Sequence, residues 1–91
     1  MEIRQLMYFI QIVKSGTYSA AAKQLYLSQP ALSKAVKHLE EELGAKLLVQ
    51  GEKRSEPTDV GRVLFERGQQ LIREYNDLLG AVDEANSRNR G

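Results

Sequence analysis

The apolar residues in the first third of the chain recur every three or four positions, a spacing that predicts amphipathic helices. The first predicted helix runs from Ile3 to Ser15 and stops before Gly16, which suits a left-handed C-terminal cap. A second, shorter helix is predicted from Ser19, as its N-cap, to Leu25. The apolar stripe of the first helix consists of Ile3, Leu6, Phe9, Ile10 and Val13.

A third helix is predicted from Pro30 to Leu43, with Ser28 as its N-cap and Gly44 after its last turn. Pro30 falls in the first turn, where its missing N–H costs little. The buried stripe of this helix is predicted to consist of Leu32, Val36, Leu39 and Leu43. Because only a short turn separates the second and third helices, the pair predicts a helix-turn-helix.

The pattern changes after Gly44. Residues 47–49 and 55–57 predict two short strands, and the polar residues 50–54 between them predict a hairpin tip. Thr58 then suits the N-cap of a long helix that extends to about Asn86. The chain is therefore predicted to be mainly α, with a winged helix-turn-helix over residues 1–57. This domain is predicted to be followed by a linker and dimerisation helix over residues 58–86 and by a flexible tail over residues 87–91.

The long helix is predicted to span about 40 Å, more than a body of this size can cover. Its main apolar seam steps by seven, four, three and four residues and is interrupted by Gly68. This seam consists of Leu64, Leu71, Tyr75, Leu78 and Val82. A second stripe on a neighbouring face contains Phe65, Ile72 and Leu79. One stripe can pack on the domain itself, so the other predicts contact with a second copy of the chain.

The charge distribution favours a polyanionic partner, although the net charge is only +1. Ile3 to Leu39 contains five basic residues and no acidic one, whereas Glu40 to Gly91 contains eight basic and eleven acidic residues. An ordinary solvated basic face explains this asymmetry equally well, so charge alone leaves both interpretations open.

The front of the third helix carries side chains that suit a DNA groove. Gln29 can pair with adenine, Ser33 can donate to or accept from several bases, and Pro30 offers apolar contact to a thymine methyl group. The predicted contact residues are Ser28, Gln29, Pro30, Ala31, Ser33, Lys34 and Lys37. Glu40, Glu41 and Glu42 follow and are predicted to lie at the solvated end of the helix, away from the groove. A capped surface helix with a polar face is the alternative for this segment taken alone.

Other chemistries find little support. The chain contains no cysteine and only one histidine, His38, so neither a metal site nor a catalytic constellation is predicted. We therefore expect neither an enzyme nor a cofactor. No apolar run approaches the length of a membrane span and no secretory signal is visible, so we expect a cytoplasmic protein without a membrane partner.

The sequence resembles the N-terminal DNA-binding domain of LysR-type transcriptional regulators over nearly its whole length. The most specific pieces are "SQPALS" across the turn and "LEEELG" after it, with "TDVG" downstream. The resemblance implies a homodimer that binds imperfect palindromes in double-stranded DNA, with a tetramer as a further state of the full-length protein. It also implies a small-molecule effector, bound only by a C-terminal domain that this chain lacks.

The resemblance assigns base reading to Gln29, Pro30, Ser33 and Lys34. Lys34 stands where the family often has arginine; lysine keeps the charge but lacks the planar fork, which weakens a bidentate contact with guanine. In the wing, Leu48 and Gln50 replace the usual aromatic and arginine residues, and Lys53 and Arg54 supply the remaining cations.

Two further expectations concern the periphery of the interface. Thr17 and Tyr18 precede the second predicted helix, whose first turn commonly meets phosphate in such folds, so they are predicted as backbone contacts of second rank. The wing cations have an alternative interpretation as solvated hairpin charges. The alternative for the whole chain is a winged-helix module that binds proteins and not DNA, since a fold does not determine a function.

Overall fold

The computed structural model describes residues 1–90 and contains four helices and one two-stranded antiparallel sheet in that range. The elements are α1 (Ile3–Ser15), α2 (Tyr18–Leu25), α3 (Gln29–Leu43), β1 (Leu48–Gln50), β2 (Ser55–Pro57) and α4 (Asp59–Asn89). The predicted mainly α, winged helix-turn-helix architecture is confirmed. The molecule measures 56 × 25 × 20 Å. Its longest dimension reflects α4, which projects far beyond the other elements.

The core lies where α1, α2 and α3 meet. Its fully buried large residues are Leu6, Phe9, Ile12, Leu32, Leu39 and Leu47, with Val36 at 2% exposure. Ile12 was absent from the predicted stripe, whereas Ile3 and Val13 are only partly buried. The prediction that Leu43 is buried was wrong, because it remains 43% exposed. Leu47, which follows the turn at Gly44, fills the core instead.

The start of α2 differs from the prediction. Thr17, and not Ser19, is the N-cap, and its side chain accepts a hydrogen bond from the Ala20 N–H at 3.1 Å. Gly16 ends α1 in the left-handed conformation (φ 87°), so the chain reverses early enough for Thr17 to cap the next helix. Ser19 is therefore the second residue of α2 and is exposed.

The wing is held by hydrogen bonds to distant parts of the body. Its strands pair in the register Leu48↔Pro57, Val49↔Glu56 and Gln50↔Ser55. The first strand thus begins at Leu48, one residue later than predicted, because the side chain of Leu47 is buried in the core. The Ser55 N–H donates to the Gly16 carbonyl at 2.8 Å, and the Thr58 N–H donates to the Leu47 carbonyl at 3.0 Å. These bonds join the wing to the α1–α2 turn and to the start of α4.

The last helix extends further than predicted. Residues 87–89 continue α4 and do not form a tail, because they contain neither proline nor glycine to interrupt the helical hydrogen bonds. Of the other two residues of the predicted tail, Arg90 is the C-cap of α4, and Gly91 lies outside the described residues.

In the sequence, Gly68 looked like an interruption of the apolar seam, but in the structure it is a site of close contact between α4 and α1. A Cβ atom at this position would lie 2.7 Å from Cδ1 of Leu6, so the glycine allows α4 to approach α1 closely. None of the helices described for residues 1–90 is both long and apolar enough to cross a membrane.

Candidate nucleic-acid interface

The third helix begins as the sequence predicts. Ser28 has extended backbone angles (φ −74°, ψ 151°), and its side-chain oxygen accepts a hydrogen bond from the Ala31 N–H at 3.2 Å. Pro30 lies in the first turn, where no backbone hydrogen bond is lost. The cap and the proline together fix where α3 starts and therefore which side chains face outward.

Every side chain predicted to contact DNA from α3 is exposed. On the opposite side of the helix, Leu32, Val36 and Leu39 are at most 2% exposed and pack into the core. The exposed set comprises Ser28, Gln29, Pro30, Ala31, Ser33, Lys34 and Lys37. Because the buried residues anchor one side of α3, the polar side chains are presented on a helix whose orientation is fixed. No acidic residue occurs in this part of the helix.

The start of α2 lies beside this face. Tyr18, Ser33 and Lys37 line one shallow concavity of about 630 Å³, together with Glu40, Glu41 and Lys46. Thr17 immediately precedes Tyr18 and caps α2. The structure thus brings the predicted backbone contacts of α2 next to one flank of α3.

Tyr18 is half-buried in this position. Burial raises the pKa of the Tyr18 phenol above its usual value of 10.0, and the nearby Glu40 carboxylate raises this pKa further. At neutral pH the hydroxyl group therefore keeps its proton and can donate a hydrogen bond, which suits a phosphate oxygen.

Glu40 does not belong to a solvated helix end, as the sequence suggested. Its carboxylate accepts hydrogen bonds from the backbone N–H groups of Leu47, at 2.7 Å, and Leu48, at 3.4 Å. Lys46 approaches the same carboxylate at 3.9 Å. Glu42 instead pairs with the N-terminal amine.

The side chain of Glu40 is 15% exposed, so it connects α3 to the start of the wing. A signal for this role was present, since Glu40 lies four residues after the buried Val36 and hence borders the apolar stripe.

The two cations predicted for the wing lie in different surroundings. Lys53 is an exposed residue of the hairpin tip, where the Gly51 N–H donates to the Arg54 carbonyl at 2.8 Å. The guanidinium of Arg54 lies over Gly16: a Cβ atom added to this glycine would be 3.4–3.5 Å from three of its atoms. Arg54 therefore covers the α1–α2 turn at Gly16, the residue before Thr17. Most of the surface of Arg54 nevertheless remains exposed.

The residues predicted for a dimer interface divide into two groups. Leu64 is partly buried against the core of its own domain, as are Phe65 and Ile72. The rest of the seam, from Leu71 onward, is uncovered: its exposed members are Leu71 at 46%, Tyr75 at 37%, Leu78 at 59% and Val82 at 59%. Leu64 thus belongs to the packing of α4 on the body. The exposed part of the seam lies further along the helix, where α4 projects beyond the body.

An anchored helix with an acid-free polar face, a capped helix start beside it and an attached β-hairpin define a winged helix-turn-helix DNA-binding domain. Comparison with known proteins identifies the family. The family described as "Bacterial regulatory helix-turn-helix protein, lysR family" matches residues 3–62. The chain therefore belongs to the lysR family of bacterial regulators, and it comprises the part of such a protein that contains the helix-turn-helix.

Individual relatives agree with this assignment. The nitrogen assimilation regulatory protein nac of Escherichia coli (strain K12) is 39% identical over 82 residues, which cover 90% of this chain and 27% of that protein. Its counterpart in Klebsiella aerogenes is 34% identical over 100% of this chain and 30% of its own length. The chain thus spans less than a third of the length of these curated relatives.

Solved structures include DNA complexes of similar domains. The BenM_DBD/benA site 1 DNA complex has a TM-score of 0.89 at 30% identity, covering 93% of this chain and 99% of that one. The CbnR_DBD–DNA complex has a TM-score of 0.87 at 33% identity, covering 93% of this chain and 98% of that one.

Proposed function

We propose that this domain binds double-stranded DNA sequence-specifically, with α3 in the major groove, as part of a homodimeric transcriptional regulator. The observation that carries the proposal is the exposed, acid-free face of α3 held in place by Leu32, Val36 and Leu39. A protein-binding helix would not need to exclude acidic residues from this face, whereas a helix that approaches phosphate does.

Base reading is assigned to the first turns of α3. The amide of Gln29 can make a bidentate pair with adenine, and the hydroxyl group of Ser33 can serve as donor or acceptor. Pro30 and Ala31 supply apolar contact for a thymine methyl group. Lys34 is a point charge and not a planar fork, so it contacts one guanine or phosphate oxygen at a time.

Backbone contacts are assigned to residues around this helix. The exposed Lys37 and the protonated hydroxyl group of Tyr18 border the same concavity, so both can reach one strand of phosphates. The wing would extend the interface, with Lys53 directed toward the adjacent minor groove or its phosphates. Arg54, which covers Gly16, is proposed to meet phosphate near Thr17.

The exposed seam of α4 is proposed to pair two subunits. Leu71, Tyr75, Leu78 and Val82 leave a continuous apolar stripe uncovered where α4 leaves the body. A symmetric pair of α3 helices would then read two half-sites of an imperfect palindrome, separated by one helical turn of about 34–36 Å or a multiple of it. A tetramer of the full-length protein would use surfaces outside this chain.

Other properties of the whole protein follow from the family and not from these residues. A regulator of transcription acts where the chromosome is, so we place the protein in the cytoplasm. A small-molecule effector would bind the part of the relatives that this chain does not span.

Selection of bound sites from a random duplex pool tests the proposal. We expect a short palindrome whose half-sites are spaced by about one helical turn, bound by two copies of the chain. Binding should weaken steeply with added salt, since about 0.9 counterions are released for each neutralised phosphate. If no sequence is enriched and binding to duplex DNA does not depend on salt, the module is instead a protein-binding winged helix.

A further inference from the structure

A second concavity lies on the flank of α3 that faces α1. Its volume is about 340 Å³, and its lining includes Arg4, Gln5 and Tyr8 of α1 and Ala31, Lys34 and His38 of α3. Arg4, Lys34 and His38 are all exposed. The concavity on the other flank, at Tyr18 and Lys37, shares none of these residues. The exposed face of α3 therefore has a concavity on each side.

The two concavities differ in charge. Glu40 and Glu41 line the one at Tyr18, whereas no acidic residue lines the one at Arg4 within the described part of the chain. Neither Arg4 nor Lys34 nor His38 takes part in the ion pairs found among residues 1–90, which join Met1 to Glu42 and Lys46 to Glu40. The guanidinium of Arg4 and the ammonium group of Lys34 are therefore available to an external anion.

The shape of the major groove indicates what this flank of α3 could contact. A helix in the groove, which is about 12 Å wide, has a sugar-phosphate strand on each side. The start of α2 supplies contacts for only one of the two strands. Ala31 and His38 are seven residues apart, about two helical turns, so they lie along one edge of α3. With α3 in the groove, this edge would face the second strand, and Arg4 borders the same concavity from α1.

We propose that Arg4 and His38, with Lys34 between them, form a second phosphate-binding surface that contacts the DNA strand opposite the one met by Thr17 and Tyr18. This inference rests on the proposed insertion of α3 into the major groove. Both a guanidinium and an imidazole can donate hydrogen bonds to phosphate oxygens. Because phosphate carries no base identity, this surface sets the orientation of α3 and its affinity, and not its sequence preference.

The test compares the salt dependence of DNA binding for the parent chain, Arg4→Gln and the double variant Arg4→Gln/His38→Gln. Loss of the Arg4 contact should reduce the slope of log K against log salt concentration by about 0.9 for each half-site, because the guanidinium neutralises one phosphate. The double variant should lose further affinity, because the hydrogen bond from His38 is also removed. Affinity for the selected palindrome and for a random duplex should fall by the same factor. Arg73→Gln is the matched control, because Arg73 lies on α4 and lines a separate concavity with Met7 and Gln11. It should keep the parent's slope.

A second measurement locates the contacted strand. Neutral methylphosphonate groups are placed singly along each strand of the selected duplex. In the parent, one position per half-site should weaken binding when it is neutralised, and it should lie on the strand opposite the position whose effect disappears in Tyr18→Phe. In Arg4→Gln that position should no longer matter. Melting curves that match the parent's show that the exposed substitutions leave the fold intact.

The outcomes separate this inference from the proposed function. Salt-dependent, sequence-specific binding by the parent, with unchanged slopes in both Arg4 variants, overturns the second surface and keeps the function. An Arg4→Gln variant that loses sequence preference and keeps its slope also overturns it. If the parent itself shows no salt-dependent binding to duplex DNA, the proposed function fails, and the second surface fails with it.

Discussion

The recognition helix α3 and the β1–β2 wing are neighbours in the chain, but their conformations depend on different kinds of interaction. The start of α3 is fixed by residues within one turn of each other: Ser28 caps it and Pro30 follows. The wing is fixed by bonds to distant residues, from Ser55 to Gly16 and from Thr58 to Leu47. Local signals therefore define the part that is proposed to read bases, and long-range contacts define the wing beside it.

The largest expected effect comes from the buried side of α3. Leu32→Ala should lower the free energy of unfolding by about 2–5 kcal/mol, because Leu32 is fully buried and a cavity would remain. Leu43→Ala on the same helix is the control, since 43% of this residue is exposed, and should cost less than half as much. Urea unfolding measures both. Equal losses would show that α3 is not anchored by its buried stripe.

The next effect concerns the connection between α3 and the wing. Glu40→Ala removes the acceptor of two backbone N–H groups, so unfolding should become easier by about 1.5–3 kcal/mol. Hydrogen exchange at Leu47 and Leu48 should accelerate more than exchange within α3. Glu41→Ala, an exposed neighbour without these bonds, is the control and should change stability by about 0.5 kcal/mol or less. Exchange that rises equally in α3 and β1 would contradict the connection.

A smaller effect should separate the two wing cations. Lys53→Gln should weaken binding to all duplexes alike and leave the unfolding free energy unchanged. Arg54→Gln should in addition destabilise the domain by about 0.5–1 kcal/mol, because its guanidinium packs on Gly16. Gel-shift and urea titrations of the two variants measure both quantities. Identical stability in the two variants would show that Arg54 is a free tip residue like Lys53.

The smallest expected effect is the pH dependence of stability that Tyr18 causes at the junction of α2 and α3. The pKa of Tyr18 is raised in the folded state, so its contribution to stability is complete below pH 10 and is lost as pH rises further. Stability measured between pH 8.5 and about 11 should therefore fall less in Tyr18→Phe than in the parent. Tyr26→Phe, at a position 94% exposed, should retain the parent's decline because Tyr18 is still present. A parent-like decline in Tyr18→Phe would contradict the burial of its hydroxyl group.

Sequence reasoning was most successful where a local rule decides the structure. The N-caps at Ser28 and Thr58 follow from side chains that accept a hydrogen bond from an N–H three residues later. The turn at Gly16 follows from a residue that adopts a positive φ without strain. Competing local signals caused the error at Ser19, since Thr17 and Ser19 are both acceptable caps. Only the early reversal at Gly16 favours Thr17.

Sequence reasoning failed where a distant residue decides. The place of Glu40 beside the apolar stripe indicates partial burial, but it does not reveal that the carboxylate binds the backbone at Leu47. Nor does any local signal show that Arg54 covers Gly16. Likewise the seam of α4 does not reveal which of its members face the body. Leu64 packs on the core because Gly68, one turn later, lets α1 approach. The candidate site was thus predictable on α3, and its supports in the wing and α4 were not.

The central claim is that the exposed face of α3 reads base sequence, and the specificity ratio of Gln29→Ala tests it most directly. This ratio compares affinity for the selected palindrome with affinity for a permuted duplex at one salt concentration. Gln29→Ala should reduce the preference by about 1–3 kcal/mol per lost base contact. Gln24→Ala, an exposed amide on α2, should keep the parent's ratio. A Gln29→Ala variant with the parent's ratio would contradict the claim.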